Sequence, residues 1–289
     1  MSFNKQGSSG CIVTVEQDFA VKRGPQDWLE PEYESYQRIK AGLGSDFTRF
    51  YPECVLFNAP NTRLLILERT GVLTLEEGFS QLAKRSSKDD SNVSFFRRLC
   101  GIVSQVEEAL WGLASKYARE SSRDSNLFLE ELRELIELCG GSIVAARTDF
   151  QFTCSPCHRD LGLHNIVVTD MLDAFKFIDP RASLSRKVKS SGAIGSIGWD
   201  LVCLMINLIR VGEIMRRGGW ANCFDETIGH FKQRLLDTSL WNCQSIYLFV
   251  TARSIQFASC QCDFCKSHPY LAKLMEAELD WAIKGAADA

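Results

Sequence analysis

Polar residues with a distinctive spacing stand in the second half of the chain. His158 and Asp160 begin a polar segment, Asn165 follows Asp160 by five residues, and Asp179 follows Asn165 by fourteen. Transfer of a phosphoryl group from ATP requires a carboxylate that aligns and deprotonates the acceptor hydroxyl. It also requires an amide and a carboxylate that hold Mg²⁺ against the phosphates. These residues are of the types that this chemistry needs.

The segments around these residues predict that their side chains meet. Residues 165–168 and 175–178 have the composition of two short strands joined by a polar loop. A β-hairpin brings its two open ends together, so Asn165 and Asp179 can bind one ion. The alternative interpretation treats Asp160, Asn165 and Asp179 as ordinary turn and strand-end residues. The complete spacing favours phosphoryl transfer.

The segment 160–165, Asp-Leu-Gly-Leu-His-Asn, resembles the catalytic loop of the protein-kinase-like superfamily. Within that superfamily it is most similar to the aminoglycoside phosphotransferases and related small-molecule kinases. The resemblance implies that Asp160 is the catalytic base and that His158 orders the loop. It also implies that Asn165 and Asp179 are Mg²⁺ ligands and that ATP is the phosphoryl donor.

Further elements of this resemblance lie near the N-terminus. Lys22 resembles the strand lysine that contacts the α and β phosphates, the alternative being a solvated lysine. In the family this lysine pairs with a glutamate on the following helix, where Glu32 fits best and Glu30 and Glu34 are alternatives. A glycine-rich turn before the first clear strand would place backbone N–H groups over the phosphates, unless it is an ordinary hairpin turn. It consists of Gly7, Ser8, Ser9 and Gly10.

Two more segments resemble parts of the family. Residues 64–70 resemble the last N-lobe strand and the hinge, where backbone groups of Glu68, Arg69 and Thr70 would hydrogen-bond adenine; a buried edge strand is the alternative. Asp200, in the segment Gly-Trp-Asp-Leu, resembles the aspartate that braces the catalytic loop. Asp200 is also a good N-cap residue by itself.

The sequence predicts a two-lobed α+β fold with an antiparallel-sheet N-lobe (residues 1–70) and a mainly helical C-lobe (residues 71–289). Apolar patterning gives the N-lobe strands at residues 11–15, 19–23, 53–58 and 63–68. A helix is predicted for residues 25–40, and a long amphipathic helix contains residues 96–117. The polar stretches 85–91 and 120–125 are predicted to be loops.

Composition excludes several other classes of protein. The chain has 289 residues, a net charge of −3 and a pI of about 5.9, which gives no global reason to bind nucleic acid or an anionic membrane. It has no run of 18 apolar residues and no recognisable secretory signal, so we expect a cytoplasmic protein with reduced thiols. The oligomeric state is left open.

Other known site patterns are absent or weaker. The sequence has no Gly-x-x-x-x-Gly-Lys-Ser/Thr loop and no Gly-x-Ser-x-Gly elbow. A structural zinc site is conceivable, although thiols at a helix end are the preferred interpretation. Its ligands would come from Cys260, Cys262, Cys265 and His268, with Cys154 and Cys157 also available.

The acceptor is predicted to be a small molecule. No Ala-Pro-Glu follows Asp179 before Asp200, as a protein-kinase activation segment would require, although Arg159 matches protein kinases where antibiotic kinases usually have glycine. The acceptor classes are amino sugars, antibiotics, sugars, nucleosides and amino alcohols. A protein kinase, an inactive pseudokinase scaffold and an AMP-transferring enzyme remain alternatives.

The acceptor pocket is expected among the C-terminal helices. Acidic residues there would bind an amine and aromatic residues would stack on a ring, although surface charge and core packing are the commoner roles of such residues. The candidates are Glu276, Glu278 and Asp280, and Trp220, Phe224, Trp241 and Trp281.

Overall fold

The computed structural model describes most of the chain. It covers residues 3–6, 11–59, 62–71, 73–140, 150–181, 183–184, 194–220, 225–259, 273–278 and 280–281.

A five-stranded antiparallel sheet forms the N-terminal part. Its strands are β1 (Phe3–Gln6), β2 (Ile12–Val15), β3 (Phe19–Gly24), β4 (Cys54–Ala59) and β5 (Thr62–Glu68), in the spatial order β1-β2-β3-β5-β4. In β5, Leu65 and Leu67 are buried while Leu64 and Ile66 are half-buried, the period of a strand with one face on the core. The four predicted strands are confirmed to within one residue at each end.

Helix α1 (Gln26–Leu43) packs against β4 and β5. Leu29, Tyr36 and Ile39 are fully buried on its inner face, and the helix predicted for residues 25–40 is confirmed. Glu32 lies three residues after Leu29 and four before Tyr36 and so belongs to the same face. This placement directs Glu32 towards the sheet.

Helices dominate the rest of the chain. They are α2 (Phe47–Phe50), α3 (Leu75–Ala83), α4 (Asp90–Tyr117), α5 (Ser122–Leu138), α6 (Ile197–Arg217), α7 (Asp225–Leu236) and α8 (Cys243–Ala258). Every residue of α6 from Ile197 to Val211 is buried, so α6 is the central helix of this part. Among the described residues, no helix has the length and apolarity needed to cross a membrane.

Short strands connect the two parts. β6 (Leu73–Thr74), β8 (Ile166–Val168) and β9 (Phe175–Phe177) form a three-stranded sheet, and β7 (Ser155–Pro156) pairs with β10 (Ile194–Gly195). Gly71, just before β6, passes so close to β8 that a Cβ there would collide with the backbone carbonyl of Val168. The chain leaving the N-terminal sheet is therefore packed directly against the strand that follows Asn165.

Three local expectations are wrong. Residues 90 and 91, at the end of the predicted loop 85–91, already belong to α4, which begins at Asp90. Residues 122–125 are not a loop but the first turn of α5, because the Ser121 side chain caps the helix by accepting a hydrogen bond from the Asp124 backbone, a common N-cap arrangement. Asp200 is not an N-cap either, because Ser196 caps α6 and Asp200 lies inside its first turn.

Candidate active site

Residues 157–165, here named the catalytic loop, lead from β7 into the β8–β9 hairpin. The Ile178 backbone N–H donates to the Asn165 carbonyl at 2.9 Å, which continues the register in which Ile166 faces Phe177. Asn165 and Asp179 therefore flank the open end of the hairpin, which is the placement that the sequence predicts.

Asp160 carries an ionised carboxylate. Its side chain is 28 % exposed, and its backbone carbonyl accepts a hydrogen bond from Asn165 Nδ2 at 2.8 Å. Burial disfavours ionisation, but the nearby Arg253 and Arg181 outweigh burial and lower the pKa of Asp160 to about 2. Because Nδ2 of Asn165 donates to this loop, its Oδ1 is left to accept a hydrogen bond or to bind a metal.

Asp179 has an unusual backbone conformation. Its φ is +57°, in the left-handed region that few residues other than glycine adopt, and such residues concentrate at functional sites. The backbone N–H of Asp179 donates to the hydroxyl of Tyr36 at 3.0 Å. Since Tyr36 is fully buried in α1, this helix helps to set the position of Asp179.

Lys22 lies between two carboxylates. Its Nζ is 2.6 Å from Glu32 Oε2 and 3.2 Å from Asp179 Oδ1, so Glu32 is the glutamate of α1 that pairs with it, while Glu34 pairs with Arg38. Burial disfavours the Lys22 ammonium, but the charges of Asp179 and Glu32 outweigh burial and raise the pKa of Lys22. The ion pair joins the sheet, α1 and the hairpin.

The residues present fit a Mg²⁺ ion that binds with a nucleotide. Oε1 of Glu32 is buried without a hydrogen-bond partner among the described residues, and burial together with the Asp179 charge raises the pKa of Glu32 above its ordinary value. Glu32 and Asp179 thus share the one ammonium of Lys22.

Mg²⁺ commonly takes one or two protein oxygens and completes its shell with phosphates and water. Asn165 and Asp179 would supply such oxygens, and no group of three or more His, Cys, Asp or Glu able to hold a metal occurs in the described ranges.

Helix α6 holds the backbone of the catalytic loop. Asp200 accepts hydrogen bonds from the backbone N–H of His158 and of Arg159, each at 2.7 Å. The Trp199 indole N–H donates to the Arg159 carbonyl at 2.9 Å. Arg159 has a φ of +72°, so these contacts fix it in a strained conformation just before Asp160.

The Arg159 side chain points away from Asp160 into the core. It forms a fully buried ion pair with Glu131 of α5 at 3.0 Å and donates to the Ile194 carbonyl at 2.7 Å. Glu131 also accepts a hydrogen bond from the Leu184 backbone at 3.1 Å. This ion pair therefore ties the catalytic loop to both described ends of the link that follows Asp179.

His158 is buried and orders the loop by hydrogen bonds. Its Nε2 lies 2.6 Å from the Ile178 carbonyl, and its Nδ1 lies 3.3 Å from the Asp160 backbone N–H. Burial lowers the pKa of His158 to about 4, so the ring is neutral at neutral pH. A neutral ring with both nitrogens engaged suits positioning rather than proton transfer.

The predicted hinge is partly occupied by the protein itself. The backbone N–H of Glu68 donates to the Glu53 carbonyl at 2.8 Å, and that of Arg69 donates to the Asp18 carbonyl at 3.1 Å. No described residue accepts a hydrogen bond from the Thr70 N–H. Of the three predicted hinge N–H groups, that of Thr70 is therefore the one without a hydrogen-bond partner among the described residues.

Some sequence expectations lie outside the described residues. These are the glycine-rich turn (Gly7, Ser8, Ser9 and Gly10), the acceptor-pocket candidate Phe224, and the zinc candidates Cys260, Cys262, Cys265 and His268. The thiols of Cys154 and Cys157 are described and buried, and burial raises the pKa of each. Both thiols are therefore poor nucleophiles.

The predicted acceptor-pocket residues have structural partners. Trp220 and Trp241 are buried and donate their indole N–H groups to backbone carbonyls. Trp281 packs edge-to-face on Tyr247, and Glu278 pairs with Lys232 at 2.7 Å. Within the described ranges no hydrogen bond or ion pair joins Asp160 to Glu276, Glu278 or Asp280. Core packing and surface charge account for these contacts.

The structure adds three residues that the sequence analysis did not assign to the site. Tyr36 lies in the helix predicted for residues 25–40 but was given no role in the site, and Glu131 gave no signal. Arg253 did have a signal in the sequence, because it is the single charged residue in α8. A lone charge in an apolar helix requires a partner, and here the partner is Asp160.

No protein-family model matches the chain, and no curated protein matches it by sequence. Solved structures do match by fold. The choline kinase LicA from Streptococcus pneumoniae aligns with a TM-score of 0.50 and 12 % identity, over 99 % of this chain and 94 % of that one. An aminoglycoside phosphotransferase from Streptomyces rimosus aligns with a TM-score of 0.50 and 13 % identity, over 88 % and 92 %.

A glucosamine kinase gives the same level of similarity, with a TM-score of 0.50 and 12 % identity over 98 % of this chain and 78 % of that one. These values establish a shared fold. The chain shares the two-lobed, protein-kinase-like fold of these three proteins, as the sequence resemblance predicts.

Proposed function

We propose that the protein is an ATP- and Mg²⁺-dependent phosphotransferase that moves the γ-phosphoryl group to a hydroxyl of a small molecule. The observation that carries this proposal is the convergence of Lys22 and Asp179 at 3.2 Å, with Asn165 beside Asp179 and hydrogen-bonded to Asp160. These residues come from the sheet, the hairpin and the catalytic loop. Their joint placement supports a phosphoryl-transfer site.

Lys22 and Asp179 act on the nucleotide. The Lys22 ammonium contacts the α and β phosphates, and Glu32 keeps it in place. Asn165 and Asp179 would hold the Mg²⁺, and the bound ion would neutralise charge on the phosphates as the γ-phosphoryl group leaves. The backbone of Thr70 contacts the adenine.

Asp160 acts on the acceptor. Its carboxylate accepts a hydrogen bond from the acceptor hydroxyl and aligns the oxygen with the γ-phosphorus. The oxygen–phosphorus bond forms, the bond to the β–γ bridging oxygen breaks, and ADP leaves with that electron pair. The hydroxyl proton passes to Asp160. Because the transition state is largely dissociative, alignment contributes more than basicity, which suits a carboxylate whose pKa is about 2.

Two observations support a small-molecule acceptor. The link after Asp179 lacks Ala-Pro-Glu and is anchored at Leu184 and Ile194 through Glu131 and Arg159. The structural neighbours are a choline kinase, an aminoglycoside phosphotransferase also solved with ADP and streptomycin, and a glucosamine kinase also solved with glucosamine and ADP. Amino alcohols, amino sugars and antibiotics are therefore the first acceptors to test, followed by sugars and nucleosides.

An acceptor screen tests the proposal. ADP release from MgATP is measured over these classes, each hit is identified by phosphorus NMR, and Asp160→Asn serves as the inactive control. We expect at least one acceptor to gain a phosphate ester with the parent protein only. Transfer of AMP would favour a nucleotidyltransferase, phosphorylation of a protein would favour a protein kinase, and neither product would favour a pseudokinase.

A further inference from the structure

Arg253 lies against the carboxylate of Asp160. Its side chain is 6 % exposed, and Nη1 is 3.2 Å from Asp160 Oδ1. The same Nη1 donates to Gln256 Oε1 at 2.6 Å, and the guanidinium lies over the Phe257 ring at 5.8 Å. The guanidinium is therefore held by its own helix as well as by Asp160.

Helix α8 gives this guanidinium a fixed position. Ile246, Phe249 and Val250 are fully buried, and α8 packs against both α5 and α6. A buried cation without a counter-charge is costly, so Arg253 and Asp160 constrain each other. Asp160 also faces Arg181, His164 and His158, but in the described ranges only Arg253 lies within ion-pair distance of it.

The contact distinguishes the two oxygens of the carboxylate. Arg253 engages Oδ1, whereas no described group donates a hydrogen bond to Oδ2. The side chain is partly exposed, so Oδ2 can accept a hydrogen bond from a bound molecule. Rotation of the carboxylate about χ2 would break the contact with Nη1.

We propose that Arg253 is a positioning residue that holds Oδ1 of Asp160 and thereby presents Oδ2 to the acceptor hydroxyl. This inference rests on the proposed phosphotransfer. Arg253 touches neither ATP nor the acceptor; it sets the direction from which Asp160 receives the hydroxyl proton. Its loss therefore lowers kcat and leaves the KM for ATP unchanged.

The test uses Arg253→Gln and Arg253→Lys with ADP release from MgATP, in the presence of the acceptor found by the screen and with water as the acceptor in parallel. We expect Arg253→Gln to lower kcat by about 10²-fold, the usual effect of misplacing a reacting group, with the KM for ATP within twofold of the parent. Arg253→Lys restores part of the loss because an ammonium can still pair with Oδ1.

Arg234→Gln is the matched control. Arg234 also stacks on an aromatic ring, Trp111, and pairs with Glu108, and we expect its replacement to leave kcat unchanged. Gln256→Ala is a second probe that keeps the buried charge, and we expect a three- to tenfold loss of kcat. If Arg253→Gln fails to fold, Arg253→Lys and Gln256→Ala decide the outcome.

If the Arg253 variants keep the kcat of the parent while Asp160→Asn is inactive, this inference is wrong. The phosphotransferase proposal would not be affected by that result. A parent protein that phosphorylates no acceptor would instead contradict the proposed function. A rise in the KM for ATP with kcat unchanged would also contradict the positioning role.

Discussion

The carboxylate of Asp200 accepts hydrogen bonds from two consecutive backbone N–H groups, those of His158 and Arg159, at 2.7 Å each. Asp200 lies in the first turn of α6, whose residues from Ile197 to Val211 are all buried, so the catalytic loop is attached to the central helix of the helical part. The strained φ of Arg159 is held at this attachment.

Replacing Asp200 should release the loop. Asp200→Asn puts an amide donor opposite one of the two N–H groups, and an unsatisfied buried N–H costs about 1–3 kcal/mol. We expect lower stability, at least tenfold lower kcat, and faster hydrogen exchange at the His158 and Arg159 amides. Unchanged exchange protection at both amides would show that Asp200 does not hold the loop.

The ion pair of Arg159 and Glu131 should be essential for stability. Glu131→Gln leaves a buried guanidinium without its counter-charge, which costs about 3–5 kcal/mol. Glu108→Gln is the control, because Glu108 also pairs with an arginine but is 68 % exposed, and we expect a loss below about 1 kcal/mol. Equal losses for the two variants in chemical denaturation would contradict the role of the buried pair.

Buried His158 should make stability depend on pH. Its pKa is 6.5 in the unfolded chain and about 4 in the fold, so between these values the unfolded chain binds the proton more readily and stability falls as pH falls. At about 1.4 kcal/mol per pKa unit, the loss is about 3 kcal/mol by pH 4. The free energy of unfolding is measured against pH for the parent and for His158→Gln, and the difference between the two profiles isolates this contribution. Parallel profiles for the two proteins from pH 6.5 to 4 would disprove it.

Asp179 should couple Mg²⁺ to nucleotide binding. Asp179→Asn keeps the shape and tolerates the left-handed backbone but removes the charge. We expect Mg²⁺ to increase the ATP affinity of the parent in calorimetry and to have little effect on the variant. Asp173→Ala, an exposed aspartate in the turn between β8 and β9, should behave like the parent. Equal Mg²⁺ dependence in Asp179→Asn would contradict the metal assignment.

The contacts between site residues that lie close together in the chain could be predicted from the sequence. Asn165 and Asp179 lie at the ends of a hairpin whose strands and polar turn are encoded within fifteen residues. Their spacing was therefore enough to predict that they lie close together. Lys22 and Glu32 lie ten residues apart on adjacent elements, and the helical face of α1 placed the glutamate.

The contacts between residues far apart in the chain could not be predicted from the sequence. Arg253 and Asp160 are 93 residues apart, and Tyr36 and Asp179 are 143 apart, so no periodicity relates them. The left-handed backbones of Arg159 and Asp179 result from packing against α6 and α1. An arginine does not predict that conformation, and the enrichment of aspartate in it is too weak to predict it at one position.

The most direct measurement of the central claim is the mass of the acceptor after incubation with MgATP and the parent protein or Asp160→Ala. We predict that the parent adds one phosphoryl group to a hydroxyl and that Asp160→Ala lowers this turnover by about 10² to 10⁴ while still binding ATP. Equal phosphorylation of the acceptor by parent and variant would contradict the account.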